Sequence, residues 1–174
     1  MSRPVEGADG PALVAWAAEH LLDPLGRDLA AAVQWWELPG LPDRWPVALL
    51  GDGPPLLLLH GFDSSFLEFR RLAPLLAGHH TLVIPDLHGF GFSPRIAGAP
   101  HGPEPVLAHL VALLQVLDAR PDTAGPLGLI GASMGGSVAV ELARRCPERV
   151  DRLLLLSPAG LTGRPMPLPP LLDQ

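Results

Sequence analysis

A serine stands among glycines in Gly131-Ala132-Ser133-Met134-Gly135-Gly136. The run follows an apolar stretch, residues 127–130, and precedes a stretch with helical spacing, residues 137–145. A serine on a sharp strand-to-helix turn is held in a strained conformation, and only residues without bulk can crowd against it, hence Gly131, Gly135 and Gly136. Its hydroxyl then projects at the carboxyl end of the strand. The N-terminus of the following helix lies beneath and favours developing negative charge. Such a serine can attack a carbonyl carbon if a base takes its proton. The plainer alternative is a tight glycine turn that packs a helix on a strand.

Two further loops carry chemistry-bearing residues. His60-Gly61-Phe62 follows the apolar run 56–59, and Asp86-Leu87-His88-Gly89-Phe90-Gly91-Phe92-Ser93 follows the apolar run 81–84. Asp86 and Ser93 suit bonding to loop backbone, and the glycines permit tight turns. The seven histidines are His20, His60, His79, His80, His88, His101 and His109, and all precede Ser133. After Ser133 the carboxylates are Glu141, Glu148, Asp151 and Asp173. The first three are expected to point away from the serine. His60 is expected one strand away from Ser133, about 5 Å laterally, and His88 two strands away, about 10 Å. His60 reads as a loop histidine more readily than as a base. His79 and His80 precede a strand and so belong to the opposite end of a sheet.

These residues need a scaffold, and alternating elements provide one. Strand-like runs fall at residues 45–50, 56–59, 81–84, 127–130 and 150–156, and helical spacing at 66–76, 106–117 and 137–145. Continuous apolar strands such as Leu56-Leu57-Leu58-Leu59 are expected where both faces of a parallel sheet are covered. The βαβ rhythm predicts an α/β fold with a doubly wound, mostly parallel sheet. Residues 1–44 read as a helical extension, with helical spacing from 12 to 36 broken by Pro24. Residues 45–161 form the core, and 162–174 a proline-rich tail or the start of a cap. Arg164, Pro167 and Pro170 match an R-x-x-P-x-x-P spacing that proline-dense segments produce by chance.

The three motifs in this order, each after a strand, resemble the α/β-hydrolase family in its serine hydrolase branch, over residues 45–161. G-x-S-x-G is the nucleophile elbow of that family. The resemblance implies Ser133 as nucleophile, with Phe62 and Met134 amides as oxyanion donors. His60, Gly61, Gly131, Gly135 and Gly136 then form the supporting loops. Serine at the elbow is similar to the esterase, carbon–carbon hydrolase and cofactor-free peroxidase-like branches. The family's triad order is Ser, acid, His. No histidine follows Ser133 here, so the resemblance implies a chain lacking the cap, the last strands, and the acid and histidine they bring. The alternative is an inactive α/β-hydrolase-like protein that binds a ligand or partner.

Composition sets the outer bounds. Of 174 residues 48% are apolar and 17% charged, mean hydropathy is +0.28, and the net charge is -6. That is rich in core and poor in surface. Without a basic stripe, nucleic acid is not an expected partner. Cys146 is the single cysteine, so no internal disulfide forms. No leader and no membrane span are read, and the expected compartment is the cytoplasm. No metal or cofactor is expected; the partner is a small apolar substrate. The run Leu153-Leu154-Leu155-Leu156 wants neighbours on both sides, so an open edge there predicts self-association.

Overall fold

The computed structural model describes residues 9–96, 98, 100 and 102–160. His101, Asp173, the tail 162–174 and its R-x-x-P-x-x-P spacing lie outside the described residues.

Helix α1 (Gly10–His20) starts where Asp9 accepts the Ala12 N–H at 2.9 Å, and α2 (Pro24–Ala31) where Asp23 accepts from Leu25 at 3.1 Å. Each side chain satisfies a first-turn donor that the helix cannot. Pro24 stands in the first turn of α2, where a missing N–H is harmless. Strands β1 (Val33–Glu37), β2 (Arg44–Leu50), β3 (Pro55–Leu59) and β4 (Thr81–Pro85) follow. Between β3 and β4 lie a 3₁₀ turn, η1 (Phe66–Phe69), and the short helix α3 (Ala73–Leu76). Then come α4 (Pro103–Asp118), β5 (Leu127–Ala132), α5 (Met134–Arg145), a second 3₁₀ turn, η2 (Pro147–Arg149), and β6 (Val150–Leu156).

The sheet order is β1-β2-β4-β3-β5-β6. The pairs β4–β3, β3–β5 and β5–β6 are parallel, and β1–β2 and β2–β4 are antiparallel. This is the mostly parallel α/β sheet that the rhythm of elements predicts. β3 and β5 are central neighbours, with Leu56 opposite Gly128 and Leu59 opposite Gly131. One face is covered by α4 and α5 over Leu57, Leu59, Val83, Leu127 and Leu129. The other is covered by α1, α2, η1 and α3 over Leu58, Leu82, Ile84 and Ile130. Alternate strand residues thus serve opposite layers, which is why these runs are apolar throughout.

Two expectations change. Helical spacing through Trp36 gives way to a strand: Trp35 enters one layer and Trp36 the other, the period-two placement of a strand. The expected helical extension over residues 1–44 therefore contributes β1 to the sheet. The helix expected over 66–76 is broken into η1 and α3, with Pro74 placed in the first turn of α3. The open edge expected at the last apolar run is observed at β6. Among the described residues it pairs only with β5, and Leu153, Leu154 and Leu156 are 41%, 53% and 39% exposed.

Among the described residues no three metal-binding side chains cluster, and no helix is long and apolar enough to cross a membrane.

Candidate active site

Ser133 sits between the last residue of β5 and the first of α5, at φ 51° and ψ -118°. A non-glycine residue at positive φ stores about 1–3 kcal/mol and persists only when its surroundings over-determine it. Here they do. The Ser133 N–H donates to the Leu156 carbonyl at 2.9 Å, while its own carbonyl accepts from Gly136 at 3.0 Å and Ala159 at 2.9 Å. The Ser137 hydroxyl donates to the Ala159 carbonyl and closes the same corner.

The glycines around the serine have no room for a side chain. A Cβ on Gly131 would strike the Gly135 carbonyl and lie 2.6 Å from Gly136 Cα. On Gly135 it would strike the Leu59 carbonyl and lie 2.5 Å from that of His60. On Gly136 it would lie 2.8 Å from Pro158 Cβ. The first turn of α5 is thereby pressed against the end of β3, and the Ser133 side chain is left exposed.

His60 is fully buried and both ring nitrogens are used. The Leu87 N–H donates to Nε2 at 3.0 Å, which requires that Nδ1 carry the proton and donate to the Gly61 carbonyl at 2.8 Å. The ring therefore bolts the loop after β3 to the loop after β4. Burial draws its pKa below the usual histidine range. In a trans peptide the C=O and the next N–H point in opposite directions. The Gly61 carbonyl turns down to His60, so the Phe62 N–H turns the other way. Gly61 itself sits against the serine: a Cβ there would lie 3.3 Å from Ser133 Cβ. Met134 opens α5, where the first N–H groups have no intrahelical acceptor.

A cavity of about 480 Å³ adjoins these groups, lined chiefly by Phe62, Phe90, Val106, Leu107, Met134 and Val138. Phe62 and Phe90 meet edge to face at 5.5 Å. His88 also lines it, stacked 5.4 Å from the Trp45 ring. Glu141, expected to point away, is instead on the cavity wall. Its carboxylate is engaged by Arg144 at 2.7 Å and Arg145 at 3.0 Å, and these partners hold its pKa at about 2. Glu148 lies in η2 and Asp151 at the start of β6, the end of the sheet opposite Ser133. His79 and His80 precede β4 at that same opposite end. Among the described residues the Ser133 hydroxyl makes no hydrogen bond.

Asp86 is buried and its two oxygens accept from Phe66 at 2.6 Å and Phe92 at 2.5 Å. Burial pushes its pKa up to about 7 against those amides. One carboxylate that the sequence reading passed over also enters the site. Glu68, on η1, accepts the Gly61 N–H at 2.7 Å. Its spacing of seven residues across a loop carries no periodic signal.

The family profile described as alpha/beta hydrolase fold matches residues 54–174. The chain belongs to the alpha/beta hydrolase fold family. Within that family it is similar to 2-hydroxy-6-oxo-2,4-heptadienoate hydrolase of Pseudomonas putida, 35% identical over 117 residues, covering 65% of this chain and 40% of the relative. Lipase 1 of Psychrobacter immobilis is 38% identical over 115 residues, covering 66% and 35%. Among solved structures, the meta-cleavage product hydrolase CumD of Pseudomonas fluorescens superposes with a TM-score of 0.65 at 26% identity, covering 73% of this chain and 45% of that one. The chain thus spans less than half the length of each of these alpha/beta hydrolases.

A buried histidine next to the site should subtract stability as pH falls. His109 is fully buried against Trp45, ring centroids 4.5 Å apart, and among the described residues neither ring nitrogen has a hydrogen-bond partner. Burial, with smaller contributions from His88 and His60, lowers its pKa from 6.5 to about 3. Below the unfolded value the unfolded chain takes up a proton that the folded chain refuses. Stability contributed by His109 is therefore whole above pH 6.5 and is lost as pH falls toward 3. Asp86 acts in the opposite sense between 3.8 and about 7, so the difference between variant and parent isolates His109. Urea unfolding of His109→Phe should show about 2–3 kcal/mol less loss than the parent between about pH 7 and pH 4.5. Parallel curves would show that His109 is protonated within the fold.

Proposed function

We propose that this chain carries the nucleophile of a serine hydrolase that cleaves an ester or related acyl bond, including a carbon–carbon bond next to a carbonyl, in a small apolar substrate. The observation that carries the reading is Ser133, exposed at φ 51° on a strand-to-helix turn beside an apolar cavity of about 480 Å³. Its Oγ attacks the carbonyl carbon, and the carbonyl oxygen gains negative charge. The Phe62 and Met134 amides, one turned away from His60 and one at the start of α5, donate to that oxyanion. Donors of this kind are worth about 3–4 kcal/mol each. The leaving group departs with a proton, and water then releases the acyl group from Ser133. No step requires a cofactor. The relatives, a hydrolase of an oxo-dienoate and a lipase, support a carbonyl as the target.

On this reading the base and its acid come from chain beyond these 174 residues, and a further strand covers the edge of β6. The exposed leucines of β6 and the 40% coverage of the dienoate hydrolase support this. A cytoplasmic setting accords with the lone Cys146. A second reading, an inactive binding protein, is favoured by the absence of any hydrogen bond to the Ser133 hydroxyl among the described residues.

The two part on one assay. With p-nitrophenyl butyrate the chain should release nitrophenol slowly, with a first turnover stoichiometric with protein. An incomplete triad still leaves roughly 10³–10⁴-fold catalysis over water from binding and the oxyanion site. Ser133→Ala should abolish that stoichiometric first turnover and leave only the residual release that binding and the oxyanion site supply. Release that is unchanged in Ser133→Ala would remove the serine from the chemistry.

A further inference from the structure

Glu68 brings a carboxylate to within one glycine of the nucleophile. A Cβ placed on Gly61 would lie 3.3 Å from Ser133 Cβ and 3.5 Å from Glu68 Oε2. That oxygen accepts the Gly61 N–H at 2.7 Å. The Gly61 carbonyl is taken by His60 Nδ1 at 2.8 Å. Both polar groups of Gly61 are therefore committed: Glu68 holds the His60–Gly61 peptide through its N–H, and His60 holds the Gly61–Phe62 peptide through its carbonyl. The platform beneath Glu68 is firm. Phe66 and Phe69 on either side of it in η1 are buried, the Phe66 N–H is held by Asp86, and Ser65 accepts the Leu67 N–H at 3.3 Å.

Resting on the serine hydrolase reading above, we propose that Glu68 is a positioning residue that holds the His60–Gly61 peptide, from which the adjoining Gly61–Phe62 peptide turns, so that the Phe62 N–H meets the developing oxyanion. Its negative charge cannot itself favour an oxyanion close by, because like charges repel. Its contribution is geometric, and any side chain of that length with an acceptor oxygen should make it. The exposed carboxylate, already bonded to an amide, is accordingly not the base for Ser133.

The test is the rate at which a fluorophosphonate modifies Ser133, measured over a range of pH in the parent chain, Glu68→Gln and Glu68→Ala, with Ser133→Ala as the blank. A single oxyanion donor is worth about 10²–10³ in rate. Partial misplacement in Glu68→Ala should slow modification at least about tenfold without lowering the unfolding temperature in proportion. Glu68→Gln should match or exceed the parent, with a pH profile of the same shape. Hydrogen exchange of the Gly61 amide should quicken in Glu68→Ala and not in Glu68→Gln.

Equal slowing in both variants, with loss of a pH limb, would make Glu68 a proton-transfer group and overturn the proposal. A rate and an exchange profile in Glu68→Ala matching the parent would also overturn it. A parent chain whose Ser133 is never modified would sink the hydrolase reading instead. The exchange of Gly61 would then still decide whether Glu68 fixes that peptide, and no change in Glu68→Ala would refute it.

Discussion

Gly135→Ala should destabilise the chain by at least about 3 kcal/mol, or prevent it from folding. The added Cβ would strike the Leu59 carbonyl and lie 2.5 Å from the His60 carbonyl, and both are backbone atoms at the end of a central strand. Neither can swing aside as a flexible side chain would. Relief requires α5 to move off β3, which separates Gly131 from Gly136 and releases the strained turn at Ser133. Overpacking of a well-packed core costs about 1–3 kcal/mol, and loss of a special backbone geometry adds to it. Gly78→Ala is the control, since a Cβ there meets nothing within 4 Å. It should fall within about 0.5 kcal/mol of the parent. Thermal and urea unfolding read both. Equal stability of the two variants would mean that α5 is not pressed against β3 at this point.

The chain as given should associate with itself through β6. Its outer backbone edge has no strand partner among the described residues, and Leu153, Leu154 and Leu156 are 41%, 53% and 39% exposed. Natural edges are blunted by charge, proline or a bulge within the strand. Here Asp151 and Arg152 stand only at the start of β6, and the register irregularity lies at its first residues. Light scattering across a concentration series should show oligomers. Leu154→Lys places a charge mid-edge and should raise the association midpoint at least about tenfold. A concentration-independent monomer, with β6 amides strongly protected from exchange, would show the edge covered by other means.

What the sequence disclosed depended on the range of the signal. β3 and β5 were legible because continuous apolar runs bounded by glycine carry their own periodicity, and Ser133 because strand, glycines and helix adjoin in sequence. β1 was misread for a physical reason. Val33 and Trp36 stand three apart, a spacing that suits a helix, while the pairing of Trp35 with Pro46 that makes this a strand is long-range. The 66–76 helix failed because Asp86, twenty residues on, fixes the Phe66 amide and shapes the turn that begins there. His60 was legible as a loop histidine but not as the bolt to Leu87, twenty-seven residues away. Glu68 carried no pattern, since its bond to Gly61 exists only once η1 folds back over the loop. Glu141 was misplaced because which flank of α5 faces the cavity is set by the position of α4.

The central claim is that Ser133 is a nucleophile poised by its turn. The most direct measurement is peptide mass spectrometry of the chain after exposure to a fluorophosphonate. The expected result is one slowly formed phosphonyl adduct, on Ser133, absent in Ser133→Ala and lost when the chain is unfolded first. An adduct spread over other serines, or one that forms equally well on unfolded protein, would contradict it.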